Sequence, residues 1–166
     1  MRLRHLGGAL GLATLVVIAI LPAVPPAWGG PDCDHCKPTV AIWDWKGNGY
    51  ALGGDAEAAG KAALEDGRAY ACDKAAPYLE KNPVKCKGGC TDGEVSQTCA
   101  VHGEPKCTQG TAESDDGMWL FICRKARQKN PDAPACDAET KKSHPGWGMC
   151  DVPVRAEKTR TCDCPG

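Results

Sequence analysis

The sequence predicts a small α+β domain stapled by disulfides, with one main helix packed on a short, mostly antiparallel sheet. The chain contains 12 cysteines, yet only 13 leucine, isoleucine, valine and phenylalanine residues follow position 29. So little aliphatic bulk does not offset the conformational entropy that folding removes, and disulfides are the usual substitute in small exported domains. One helix-forming stretch among short strand-like runs and turns indicates the mixed class.

Residues 1–29 have the layout of a secretory signal peptide. A basic start is followed by an apolar run and then by small residues at the cleavage position. We expect cleavage after Gly29, which leaves residues 30–166 as a single disulfide-stapled domain in the periplasm or outside the cell. The alternative is that the segment stays as an N-terminal membrane anchor, because residues 6–24 are uncharged.

The first half of the domain predicts one strand and the main helix. Residues 38–45 alternate in the manner of a strand, and the glycines within residues 46–49 are expected to end it. Asp55 is a typical N-cap for a helix over residues 56–72, a stretch rich in alanine, glutamate and lysine. Its inner face carries small side chains, so this helix is expected to lie close to a sheet or to a disulfide. A second, short helix is predicted at residues 78–81, before an Asn-Pro stop.

The second half predicts short strands separated by turns. Turns are expected at residues 103–105 and 130–134, where glycine, proline and asparagine cluster. Four runs have the composition or alternation of strands: residues 94–102, 118–125, 147–154 and 158–164. The run at residues 118–125 is the most apolar of the four.

All 12 cysteines are disulfide candidates, because their number is even and an exported chain is oxidised. They are Cys33, Cys36, Cys72, Cys86, Cys90, Cys99, Cys107, Cys123, Cys136, Cys150, Cys162 and Cys164. The sequence leaves their connectivity open. Cys72 ends the predicted helix and can tie it either to the sheet or to the segment with Cys86 and Cys90. Cys99 and Cys107 flank a predicted turn, so a bridge between them is also expected.

The segment Cys33-Asp34-His35-Cys36 has the Cys-x-x-Cys spacing of thiol–disulfide oxidoreductases. The spacing resembles that of the thioredoxin-like redox family, but that family places a strand before the motif and a helix directly after it. Here the following residues lead into a strand. We therefore interpret both cysteines as structural, and the alternative is a redox pair or a thiolate-metal site at Cys33 and Cys36. No second zinc knuckle and no haem-attachment histidine accompany the pair, so no metal and no cofactor are expected.

The remaining residues favour binding over catalysis. No His-Glu-x-x-His or Gly-x-Ser-x-Gly motif occurs. After removal of the signal, 18 basic residues face 21 acidic ones, which argues against a nucleic-acid partner. Trp43 and Trp45 share one strand face and are candidate ligand-binding residues, although core packing is the preferred interpretation in a chain so poor in leucine and phenylalanine.

The sequence therefore predicts an exported, non-catalytic protein, either secreted or periplasmic. It is expected to bind an unidentified macromolecule or envelope component, or to have a structural role there. Stable membrane insertion is not expected once the signal has been cleaved.

Overall fold

The structure is a computed structural model of the chain and describes residues 36–164. It confirms the α+β, disulfide-rich class: a long helix packs on a four-stranded antiparallel sheet. The predicted signal peptide, residues 1–29, lies outside the described residues. In chain order the elements are β1 (Ala41–Gly53), α1 (Ala56–Lys81), β2 (Thr91–Val101), β3 (Lys106–Thr111), α2 (Asp116–Lys129), α3 (Ala138–Ser143) and β4 (Gly146–Asp163).

The last strand, β4, forms the centre of the sheet. β1 pairs with β4 along its whole length, from Ala41 opposite Lys158 to Gly53 opposite Gly146, without a break in register. On the other side of β4, β2 covers the carboxyl-terminal half and β3 covers the amino-terminal half. Pro153 lies in the gap between β2 and β3, where a strand does not require its missing N–H group.

The long helix α1 lies against the sheet through glycines and alanines. A Cβ atom placed on Gly47, Gly49 or Gly148 would come closer than 3.0 Å to the backbone of α1. The two glycines of β1 therefore face the helix and permit its close approach. The prediction that residues 46–49 end the strand was wrong for this reason: β1 runs through them to Gly53.

The helix α1 begins as predicted and ends later than predicted. Asp55 caps it, accepting a hydrogen bond from the amide of Ala58 at 2.7 Å. The two predicted helices at residues 56–72 and 78–81 are one helix that continues through Pro77 to Lys81. Burial of Ala75 and Leu79 in the core of the last turns accounts for this, because their packing outweighs the hydrogen bond that proline removes.

The prediction of a strand at residues 118–125 was wrong, because this segment belongs to α2. Asp115 caps the helix, accepting a hydrogen bond from the amide of Met118 at 2.9 Å. Trp119, Ile122 and Cys123 are its buried residues, at the spacing of one helix face. They pack on the sheet face opposite α1, against Trp147. The tryptophans Trp119 and Trp147 are thus core residues.

Three further differences concern the second half of the chain. Residues 147–154 and 158–164 were predicted as two strands, but they form the single strand β4. The strand β3 and the short helix α3 were not predicted.

In residues 36–164, no helix has both the length and the apolar character needed to cross a membrane.

The described disulfides include cysteines from five of the seven elements: α1, β2, β3, α2 and β4. Five bridges are described: Cys36–Cys90, Cys72–Cys99, Cys86–Cys162, Cys107–Cys150 and Cys123–Cys136. Cys72 ties α1 to the sheet, whereas the expected bridge between Cys99 and Cys107 is wrong, since each bonds to a different element. Cys164 is also disulfide-bonded, and no cysteine in the described range is free. Such a set of bridges is typical of a protein that folds in an oxidising, extracellular-type compartment.

Candidate functional site

Cys36 is bonded to Cys90, which lies just before β2 and 54 residues further along the chain. Cys33, the other half of the Cys-x-x-Cys segment, lies outside the described residues. The sulfur of Cys36 also lies 3.5 Å from that of Cys164. The structure thus joins Cys36 to a distant element rather than to Cys33. No cluster of three metal-ligating side chains is found between residues 36 and 164.

Trp43 and Trp45 lie on the same face of β1, as predicted, and they stack on each other. Their ring centroids are 5.3 Å apart and their planes differ by 4°. Tyr78 of α1 stacks on Trp43, with a centroid distance of 5.8 Å. We call these three rings the aromatic ladder. Trp43 is partly buried between the other two rings, whereas Trp45 at the outer end is 50% exposed.

The path of α1 across the sheet leaves the aromatic ladder accessible. The first turns of the helix lie over Gly49 and Gly148. Further along, the Cys72–Cys99 disulfide draws the helix towards β2, and the amino group of Lys158 bonds to the carbonyl of Leu79 at 2.8 Å. The later turns of the helix pack on Trp43 through Ala75, Leu79 and Tyr78, whereas Trp45 keeps half of its surface exposed.

The strand β1 is an edge of the sheet, and part of that edge bonds to nothing among the described residues, 36–164. The amide of Tyr50 donates to Asp66 at 2.9 Å, and the carbonyl of Asn48 accepts from Lys129 at 2.8 Å. Asp66 and Lys129 form an ion pair with each other at 2.6 Å. These contacts lie on the side of β1 that faces away from β4, so they close the second half of the edge.

The first half of the edge is open. Backbone groups alternate in direction along a strand, so Ile42, Asp44 and Lys46 direct their N–H and C=O groups outward, as Asn48 and Tyr50 do. Among residues 36–164, no group bonds to these outward N–H and C=O groups. We call residues 42–46 the open edge. Val40 and Ile42, which are 48% and 46% exposed, add apolar surface there.

The sheet face opposite α1 carries an ion pair at the open edge. The guanidinium of Arg155 donates two hydrogen bonds to the carboxylate of Asp44, at 2.7 and 2.9 Å. These bonds hold the pKa of Asp44 below its ordinary value and raise that of Arg155. A shallow groove of about 620 Å³ surrounds the pair, and Lys46 and His102 also line it. Lys46 has no carboxylate partner within residues 36–164.

Comparison of the chain with protein-family models, curated proteins and solved structures found no match. The assignment of the candidate site therefore rests on the geometry of β1 and its neighbours. The sequence flagged Trp43 and Trp45, but it did not flag Asp44, Lys46 or Arg155. The strand-like alternation of charged and aromatic residues over positions 43–46 was the available signal, and its meaning depends on β1 being an edge strand.

Proposed function

We propose that the protein is an exported, non-catalytic binding protein, secreted or periplasmic, whose binding surface is the open edge of β1 with the aromatic ladder beside it. One observation carries the proposal. Trp45 leaves half of its surface exposed, directly beside outward backbone groups that have no partner in the part of the chain that the structure describes. An exposed edge of this kind is a template for pairing with another strand, and proteins usually block it when it has no use.

The chemistry of the surface favours an extended polypeptide as the ligand. Main-chain bonds to an edge strand give affinity, and contacts to alternate side chains give specificity. The aromatic ladder suits a sugar chain less well, because Trp43 and Trp45 stack face to face. Only the outer face of Trp45 is left for stacking, whereas a row of sugar rings requires aromatic rings side by side.

The closed part of β1 limits the length of such a ligand. Asp66 occupies the outward amide of Tyr50 and Lys129 occupies the outward carbonyl of Asn48, so complete pairing stops beyond Lys46. The ion pair between Asp44 and Arg155 also supports a binding role rather than acid–base chemistry. A carboxylate whose pKa is lowered by two bonds from Arg155 is a weaker proton acceptor than a free one.

The proposal is tested by selecting extended peptides from a displayed random library on the purified, oxidised protein. Lys46→Pro removes one outward N–H group and leaves the bonds to β4 in place, since Lys46 points its backbone away from that strand. Lys46→Ala is the matched control, because it removes the same side chain and keeps the N–H group. Trp45→Ala removes the outer ring of the aromatic ladder.

We expect selected peptides to bind the wild type and Lys46→Ala alike. Lys46→Pro should weaken binding about tenfold, which corresponds to one backbone hydrogen bond of about 1.4 kcal/mol. Trp45→Ala should weaken it as well. Failure to select any peptide contradicts the proposal, and so does a set of peptides whose affinity neither Lys46→Pro nor Trp45→Ala alters.

A further inference from the structure

We infer that the open edge pairs with the open edge of a second copy of this chain, antiparallel and about a two-fold axis at Trp45. This inference rests on the proposed function, because it names the partner of the same surface. The two sheets then join into one continuous sheet through β1 of each copy. Four features of β1 favour this arrangement: the direction of its backbone groups, its charges, its aromatic rings and the closed part of its edge.

The backbone fixes which residues can face each other. Only the even-numbered residues of β1 direct their N–H and C=O groups outward, so an even-numbered residue must face an even-numbered residue of the second copy in each hydrogen-bonded pair. A two-fold axis can then pass through residue 43, 44 or 45 of the open edge. Each choice places a different residue of the second copy opposite Asp44.

The charges select the axis at Trp45. That axis places Asp44 opposite Lys46 of the second copy, and Lys46 opposite Asp44 of the second copy. Both side chains lie on the sheet face away from α1, because Gly47 and Gly49 define the helix-facing positions. An axis at residue 44 would instead set two Asp44 carboxylates against each other, and an axis at residue 43 would set Asp44 against Ile42. Opposite charges in facing positions stabilise a strand pair, and like charges destabilise it.

The same axis buries the exposed aromatic ring. Trp45 faces Trp45 of the second copy at a non-hydrogen-bonded position, where the facing side chains approach most closely. The half of Trp45 that is exposed in one copy is then covered. The helix α1 contacts Trp43 but leaves half of Trp45 exposed, so this ring is free for the contact.

The closed part of the edge limits the strength of the dimer. The carbonyl of Asn48 is already bonded to Lys129 and the amide of Tyr50 to Asp66, so neither residue can form a complete hydrogen-bonded pair with the second copy. The pairing therefore consists of two hydrogen-bonded residue pairs related by the two-fold axis. An interface this short lies at the weak end of the range, so we expect a dissociation constant that is roughly micromolar.

Sedimentation equilibrium of the purified, oxidised chain over micromolar concentrations tests the inference. Lys46→Asp and Asp44→Lys each place like charges opposite each other and should raise the dissociation constant at least about tenfold. An equimolar mixture of the two variants restores opposite charges at both pairs, so a heterodimer should form. Lys87→Asp makes the same charge reversal at an exposed bend outside the open edge and should leave the dimer unchanged.

Asp44→Lys also removes the partner of Arg155, so its folding is checked by circular dichroism. Lys46→Pro blocks the edge independently of charge and should also abolish the dimer. A wild type that stays monomeric overturns the inference, and peptide binding that is sensitive to Lys46→Pro would still support the proposed function. A dimer unaffected by both Lys46→Pro and Lys46→Asp overturns it too. Loss of the dimer in each variant without recovery in the mixture overturns the register at Trp45.

Discussion

Substitution of Gly49 by alanine should strongly destabilise the protein. Gly49 faces α1, and an added Cβ atom would overlap the carbonyl oxygen of Ala63 and lie 2.6 Å from the amide nitrogen of Gly67. Both neighbours are backbone atoms of a 26-residue helix, so no flexible side chain can move aside. The added methyl group must therefore separate the helix from the sheet along part of their contact.

The cost follows from this geometry. Overpacking of a well-packed core usually costs about 1–3 kcal/mol, and rigid backbone on the opposite side places this site near about 3 kcal/mol. For roughly 130 folded residues, an unfolding entropy of about 2.1 cal/mol/K per residue converts that loss into a decrease of about 10 °C in Tm. Thermal unfolding of the oxidised protein, followed by near-UV circular dichroism, measures the decrease.

Gly54→Ala is the matched control. Gly54 lies in the turn between β1 and α1, and a Cβ atom there would have no heavy atom within 4 Å. Alanine at such a position reduces only the freedom of the unfolded chain, an effect of about 0.4–1 kcal/mol in favour of the folded state. If Gly49→Ala melts within about 2 °C of Gly54→Ala, which is less than about 1 kcal/mol, the close approach of α1 to β1 is refuted.

Two further predictions concern the Cys72–Cys99 disulfide and the ion pair between Asp44 and Arg155. Joint replacement of Cys72 and Cys99 by alanine opens a bridge with a sequence separation of 27 and should lower the free energy of unfolding in urea by roughly 3–4 kcal/mol; a loss below about 1 kcal/mol contradicts a native bridge at this position. The pKa of Asp44, measured by NMR, should lie below its ordinary value because Arg155 donates to it, and Arg155→Gln should raise it. A carboxyl whose folded pKa is lowered stabilises the fold above its unfolded pKa of about 4, and this stabilisation is lost as the pH falls through the folded value. An equal pKa of Asp44 in both proteins would refute the role of Arg155.

Local signals in the sequence predicted the parts of the fold that local chemistry determines. Asp55 was identified as a helix cap because a short carboxylate before an alanine-rich stretch can accept the free amides of a first turn. Trp43 and Trp45 were placed on one face because side chains alternate in strands. The disulfide-rich character followed from the shortage of aliphatic residues beside so many cysteines.

Non-local contacts determine the parts that were not predicted. Gly47 and Gly49 look like a turn in the sequence, and only the approach of α1 makes them strand residues. The apolar run at residues 118–125 fits a strand and a buried helix equally well, and the packing of Trp119 and Ile122 against Trp147 of β4 favours the helix. Pairing that joins residues more than 90 positions apart, such as Tyr50 with Met149, is invisible to local patterns.

The candidate site was predicted only in part for the same reason. The aromatic residues Trp43 and Trp45 could be identified as a possible surface from composition alone. The open edge depends on the strand order β1–β4–β2, which makes β1 an edge. The closure of its second half depends on Asp66 and Lys129, which come from two different helices. No short stretch of sequence contains β1, Asp66 and Lys129 together.

The central position of β4 constrains how the protein can be made. A ribosome synthesises this strand last, and β1, β2 and β3 each pair with it. A chain that stops before residue 146 therefore has no sheet, whatever its helices do. Cys86 and Cys107 likewise emerge long before their partners Cys162 and Cys150. The native bridges of Cys86 and Cys107 can therefore form only after β4 has been synthesised, whereas Cys36–Cys90 and Cys72–Cys99 can form earlier.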